Sequence, residues 1–306
     1  MRLVAQPARR KALAADAVLA GVTVIWGSTF VVNRLVVTGD TPPLLFLLVR
    51  FSLAGVVLFA LARGRTRTPG LFADSLAIGG LTAVGIAFQL AGQVYTTASK
   101  AAFITGLSVP LTAPVAWLVT RKRPSAENLA GLAIATAGFA VMAWPREFSG
   151  VNTGDLLVLV TALAYAYIVV RLSEASGRHE VRPFAAGQIA CAAATTLLLR
   201  LAMQPFLGRP EAVFRAESRP LVVDGRFVGL LLWMSLAATV VTFLLMTWAQ
   251  ARMSATHAAV IYALEPVFAA LLAALLLGER LSGREAWGGA LVLAGILVAE
   301  LPLSRR

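Results

Sequence analysis

Glu265 and Pro266 stand side by side within YALEPVFA (262–269), in a run that is otherwise almost wholly apolar. On insertion scales a charged carboxylate at the centre of a membrane helix costs on the order of 2.5–3.5 kcal/mol, so such groups face a wet cavity or a partner. Two readings of Glu265 follow. It lines a cavity, where it binds a substrate ammonium or carries a proton, or it is structural and pairs with Arg50, His257 or a freed backbone group. Tyr262 lies one turn earlier on the same face, and Thr105 and Ser108 hold the places of Tyr262 and Glu265 in an earlier segment described below. Trp26, Thr29 and Asn33 form a stripe spaced i, i+3, i+7. The indole could stack on an aromatic or cationic substrate or sit in an interfacial belt, and the amide could bond a carboxylate. Tyr165 and Tyr167 are wall candidates, and Gln89 and Gln93 share a face at i, i+4. Pro110, Pro114 and Pro266 each remove an intrahelical hydrogen bond, which makes them candidate hinges. His257, near the start of its run, reads either as a titrating group or as a snorkelling one.

Several chemistries are excluded. There is no HExxH, no pair of intramembrane aspartates and no Ser–His pairing that spans would bring together, so the chain does not read as an enzyme. Cys191 is the only cysteine, which leaves no thiolate metal site or disulfide framework within one chain, and no cofactor is implied.

The elements that position these residues follow from composition. Of 306 residues 58% are hydrophobic and 14% charged, with a mean hydropathy of +0.79. Soluble domains carry roughly a quarter charged residues. The formal charge of +12 does not signal nucleic acid, because the basic residues sit in short loops between apolar runs. A span needs about twenty residues to cross a core of roughly 30 Å. Runs at 16–35, 44–62, 72–95, 99–120, 127–144, 154–174, 184–207, 227–250, 255–277 and 284–302 qualify. The first is too long for a signal-peptide core and reads as a retained span. Most Lys and Arg fall on the cytoplasmic side if both termini are cytoplasmic.

Internal repetition is the most informative feature. A shift of 157 residues lays ASKAAFITGL (98–107) over ATHAAVIYAL (255–264). Without a gap it also pairs Gln93 with Gln250, Arg123 with Arg280, Gly131 with Gly288 and Gly138 with Gly295. Five spans per copy is odd, so the second copy must enter the membrane inverted. The loop charges agree: RKRPSAE (121–127) is net positive and GERLSGRE (278–285) is neutral. The expected fold is all-α, ten transmembrane helices in two inverted five-helix repeats, 16–145 and 154–302, between short cytoplasmic tails, 1–15 and 303–306. Such repeats hold substrate near the midplane, often at paired helix breaks.

IWGSTFVVNRL (25–35) and EPVFAALLAALLLGERLSGREAWGGALVLAGI (265–296) resemble the EamA-type drug/metabolite transporter superfamily, over two tandem copies. The resemblance implies a ten-helix bacterial inner-membrane exporter of small metabolites, commonly amino acids including aromatic ones and sometimes organic cations. Its partners would be a small-molecule substrate and the lipid bilayer, in a monomer or homodimer. The family usually keeps an arginine at the place of Arg50, which implies a structural or gating ion pair there. Its LGE turn is intact as Leu277, Gly278 and Glu279 but reads Thr120, Arg121 and Lys122 in the first copy. An intramembrane enzyme and a passive channel are the alternatives from other classes.

Overall fold

The computed structural model describes residues 5–39, 41–63, 68–96, 101, 104–143, 151–268, 271 and 283–299. Every regular element among them is helical. The long helices are α1 (Ala5–Thr38), α2 (Pro43–Ala62), α3 (Leu71–Tyr95), α4 (Ile104–Thr120), α5 (Ala126–Ala143), α6 (Thr153–Ala175), α7 (Val181–Met203), α8 (Gly225–Gln250), α9 (Ala255–Tyr262) and α10 (Gly283–Ala299). Six stretches are long and apolar enough to cross a bilayer, in α1, α2, α3, α6, α7 and α8. The chain is a multi-pass membrane protein. Helix α4 and Ala286–Ala299 of α10 are apolar but shorter. The runs expected at 99–120, 127–144, 255–277 and 284–302 fall only partly within the described residues. Lys100, Glu279, Arg280 and the Arg34 side chain lie outside them, as does most of the 278–285 turn.

Helix starts are fixed by local chemistry. Proline opens α2, where its missing N–H would have had no partner. Asn152 and Asp155 form a capping box at α6, Asp224 caps α8 and Ser254 caps α9. Contacts at the ends sort these starts onto two sides. At one end His257 lies 3.0 Å from Asp16, Asn128 donates to Ser254 at 3.0 Å, and Asp74 accepts from Arg171, Arg178 and His179. At the other, Thr96 donates to Asp155 at 2.8 Å and Arg219 donates to the Gly39 carbonyl at 2.6 Å. Helix α1 therefore starts at the first end and α6 at the opposite one.

Two departures from regular helix, and one packing contact, recur at places related by the shift of 157. A π-helical stretch, Leu76–Gly80, interrupts α3, and another, Trp233–Val241, interrupts α8; Leu76 and Trp233 are the shifted pair. Helix α4 breaks at Leu107, whose N–H reaches back only to Ile104, and α9 breaks at Ala263 and Leu264, where the Leu264 N–H reaches Ile261. Leu107 and Leu264 are again a shifted pair. Each break lies just before a proline, Pro110 or Pro266, that cannot donate to the preceding turn. Pro114 lies inside continuous helix. Finally, α5 and α10 pack antiparallel, with Gly131 against Gly295 and Gly138 against Gly288. Small residues let these backbones approach closely.

Candidate functional site

A cavity of about 130 Å³ lies among α1, α2, α3, α4, α6, α8 and α9. Helix α1 presents Trp26, Thr29, Phe30 and Asn33, and α3 presents Thr82, Ile86 and Gln89. The restart after each helix break supplies one residue, Ser108 and Glu265.

The aromatic part of the wall is ordered. Trp26 stacks on Tyr262, with ring centroids 5.6 Å apart and an interplanar angle of 24°. The Tyr262 hydroxyl accepts from Gln250 Nε2, and Ser173 donates to Gln250 Oε1 at 3.0 Å. Because Gln250 supplies the donor, the Tyr262 O–H is itself left to donate. Gln89 Nε2 donates to Thr105 Oγ1 at 3.2 Å, which leaves the Gln89 carbonyl oxygen as an acceptor at the wall. Asn33 is buried on the wall and makes no hydrogen bond among the described residues.

Arg50 brings a guanidinium to this cavity from α2. Its Nε donates to Thr239 Oγ1 at 2.9 Å and its Nη2 to the Ala238 carbonyl at 3.3 Å. Both acceptors belong to the π-helical stretch of α8, a type of irregularity frequent at functional sites. Glu265 brings a carboxylate from the other side of the α9 break. No ion pair joins Arg50 and Glu265 among the described residues, and neither has another salt-bridge partner there. Tyr165 lines the same cavity.

The chain that builds this wall matches a known group over most of its length. The profile of the EamA-like transporter family matches residues 13–144 and again 152–301. The chain belongs to the EamA-like transporter family. Two relatives from Archaeoglobus fulgidus, each called an uncharacterized transporter, are 31% identical over 95% of this chain and 87% of the relative, and 26% identical over 91% and 94%. A crystal structure with a TM-score of 0.74 covers 96% of this chain and 98% of its own at 21% identity, and so shares the fold.

Within this EamA-like chain the structure brings Trp26, Thr29, Asn33, Arg50, Gln89, Tyr165, Tyr262 and Glu265 to one cavity. Three candidates stand elsewhere. Gln93 is fully buried off the wall, a further turn along α3 from Gln89. Thr105 sits behind Gln89 and orients it. Tyr167 is two residues from Tyr165, which rotates it by about 200° round α6 and away from the cavity. His257 pairs with Asp16 at one end of the bundle, so it is not the partner of Glu265. The ion pair implied for Arg50 is replaced by a hydroxyl and a carbonyl. Phe30, Thr82 and Phe243, on the wall, carried no signal in the sequence beyond ordinary apolar or helical patterning.

Proposed function

We propose that this EamA-like protein exports small zwitterionic metabolites, above all amino acids and including aromatic ones, across the bacterial inner membrane. It works by alternating access between two inverted five-helix halves, 16–145 and 154–302, with both termini cytoplasmic. One observation carries the substrate class: a guanidinium and a carboxylate face the same cavity without neutralising each other. A ligand with both charges satisfies both, its carboxylate on Arg50 and its ammonium on Glu265. The Trp26–Tyr262 stack beside Glu265 accepts an aromatic side chain or the face of a cation. Paired breaks in α4 and α9, paired π stretches in α3 and α8 and the antiparallel α5–α10 contact support the inverted halves. Rocking one half against the other would expose the cavity to each side in turn.

A second reading is an organic-cation exporter, favoured by Glu265 lying on the same wall as stacked aromatic rings. Counterflow in proteoliposomes separates the readings. Saturable exchange of a labelled neutral amino acid, lost in Glu265→Gln at unchanged expression, supports the proposal. Linear flux points to a pore, substrate turnover to an enzyme, and full exchange by the Gln variant returns Glu265 to a structural role.

A further inference from the structure

Arg50 offers the cavity only part of its guanidinium, and α8 determines which part. Of the five N–H donors of an arginine, two are taken, Nε by Thr239 Oγ1 at 2.9 Å and Nη2 by the Ala238 carbonyl at 3.3 Å. These two nitrogens form one edge of the planar group, so that edge faces α8. The remaining three N–H bonds, two on Nη1 and one on Nη2, find no acceptor among the described residues. Nη1 keeps accessible surface, on a residue that lines the cavity. The free edge, Nη1 with Nη2, carries two parallel N–H groups, the arrangement that meets both oxygens of a carboxylate.

The hold on the other edge is built into the π-helical stretch Trp233–Val241. Thr239 Oγ1 donates its own proton to the Met234 carbonyl, five residues back, at 2.7 Å, and so turns a lone pair to Arg50. The Ala238 carbonyl also accepts from Thr242 Oγ1 at 2.9 Å, which uses its second lone pair. Thr82, the residue 157 positions before Thr239, behaves differently. Its hydroxyl donates to the Ile78 carbonyl, four residues back, at 2.8 Å and accepts from no side chain among the described residues. The two π stretches differ in their neighbours too. That of α3 lies against the backbone of α7, where a Cβ on Gly79 would stand 1.9 Å from the Gln188 carbonyl oxygen. That of α8 has no glycine and meets α2 through the Arg50 side chain. Thr239 is fully buried and off the cavity wall, so it touches Arg50 and not a substrate.

We infer that Thr239 is a positioning residue: it fixes one edge of Arg50 against α8 and thereby turns the other edge toward the carboxylate of the substrate. The inference rests on the reading that Arg50 takes that carboxylate. A guanidinium released from Thr239 keeps its charge but loses its preset direction, so the loss falls on ligands that carry a carboxylate.

Equilibrium binding of labelled phenylalanine to the full chain in detergent micelles, with phenethylamine and 3-phenylpropionate as competitors, tests it. Thr239→Val keeps the branched shape and removes the acceptor. It should weaken phenylalanine and phenylpropionate about tenfold and leave phenethylamine unchanged. Thr239→Ser, which keeps the hydroxyl, should recover most of the lost binding. In an Arg50→Lys background Thr239→Val should add no further loss, because an ammonium has no second edge to orient. Thr239→Ala carries the same expectations should the valine variant fail to fold. Equal weakening of all three ligands would overturn the positioning role. Full binding by Thr239→Val where Arg50→Lys binds weakly would also overturn it, while leaving the zwitterion reading intact. Arg50→Lys binding phenylalanine as tightly as the wild type would overturn that reading itself.

Discussion

Alanine at Gly131 measures the register of α5 against α10. A Cβ there would stand 2.5 Å from the Gly295 carbonyl oxygen, and one at Gly295 would stand 2.6 Å from that of Gly131. Both are below the 3.0 Å that real Cβ contacts essentially never cross, and the obstacle is backbone, so the helices must part. Overpacking of this kind costs about 1–3 kcal/mol. Helices that have parted for one methyl have room for the second. Gly131→Ala and Gly295→Ala together should therefore cost little more than either alone, a coupling on the order of 1–3 kcal/mol. Gly288 sits two turns along α10 from Gly295, about 10 Å away, and should couple with Gly131 more weakly. A double-mutant cycle on reversible unfolding in mixed micelles reads both numbers. Additive costs for 131 with 295, or stronger coupling of 131 with 288, would refute the antiparallel packing.

The remaining predictions concern the cavity and the connector. Arg50→Lys loses the forked hold on Thr239 and Ala238 and should raise KM for a zwitterion about tenfold or more, at unchanged expression. Thr105→Val removes the acceptor that orients Gln89 and should weaken transport several-fold while changing stability by only about 1 kcal/mol. Burial pushes the Glu217 carboxyl above the ordinary glutamate range, against the opposing pull of the Leu44 amide, Arg200 and the Leu45 amide. The native state thus holds that proton more tightly than the unfolded chain does. Its stabilising contribution is full below the ordinary glutamate value and is lost as pH climbs past the raised one. Thermal unfolding should accordingly show the wild type losing stability relative to Glu217→Gln as pH rises above about 4; a wild type that gains on the variant as pH rises would contradict this.

Much of the site was legible because its signals are local and costly. A carboxylate and a proline in an apolar run announce themselves, and Pro110 and Pro266 mark breaks because neither has an N–H to give. The stripe of Trp26, Thr29 and Asn33 needed only the helical period. Other features needed the third dimension. Leu76–Gly80 and Trp233–Val241 share no composition that marks a π-helix, although their starts fall on the same shift as the glycines. The resemblance implied an ion pair at Arg50, whereas the π stretch of α8 offers it a hydroxyl and a carbonyl. Gln93 was grouped with Gln89 by a shared helix face and Tyr167 with Tyr165 by proximity in sequence; a further turn along α3 takes the first off the wall, and about 200° of rotation round α6 turns the second away. The short helix Ala212–Glu217 of the connector before α8 caps α2 through Glu217 only once the fold brings the two together.

The account turns on a zwitterion held between Arg50 and Glu265. Competition in the counterflow assay tests it most directly, with a labelled neutral amino acid against its decarboxylated amine and its deaminated acid. The account predicts that each analogue competes at least about tenfold less well than the parent. It also predicts that Glu265→Gln narrows the gap for the acid and Arg50→Gln narrows it for the amine. Amine and amino acid competing equally in the wild type would contradict the pairing and leave a cation exporter in its place.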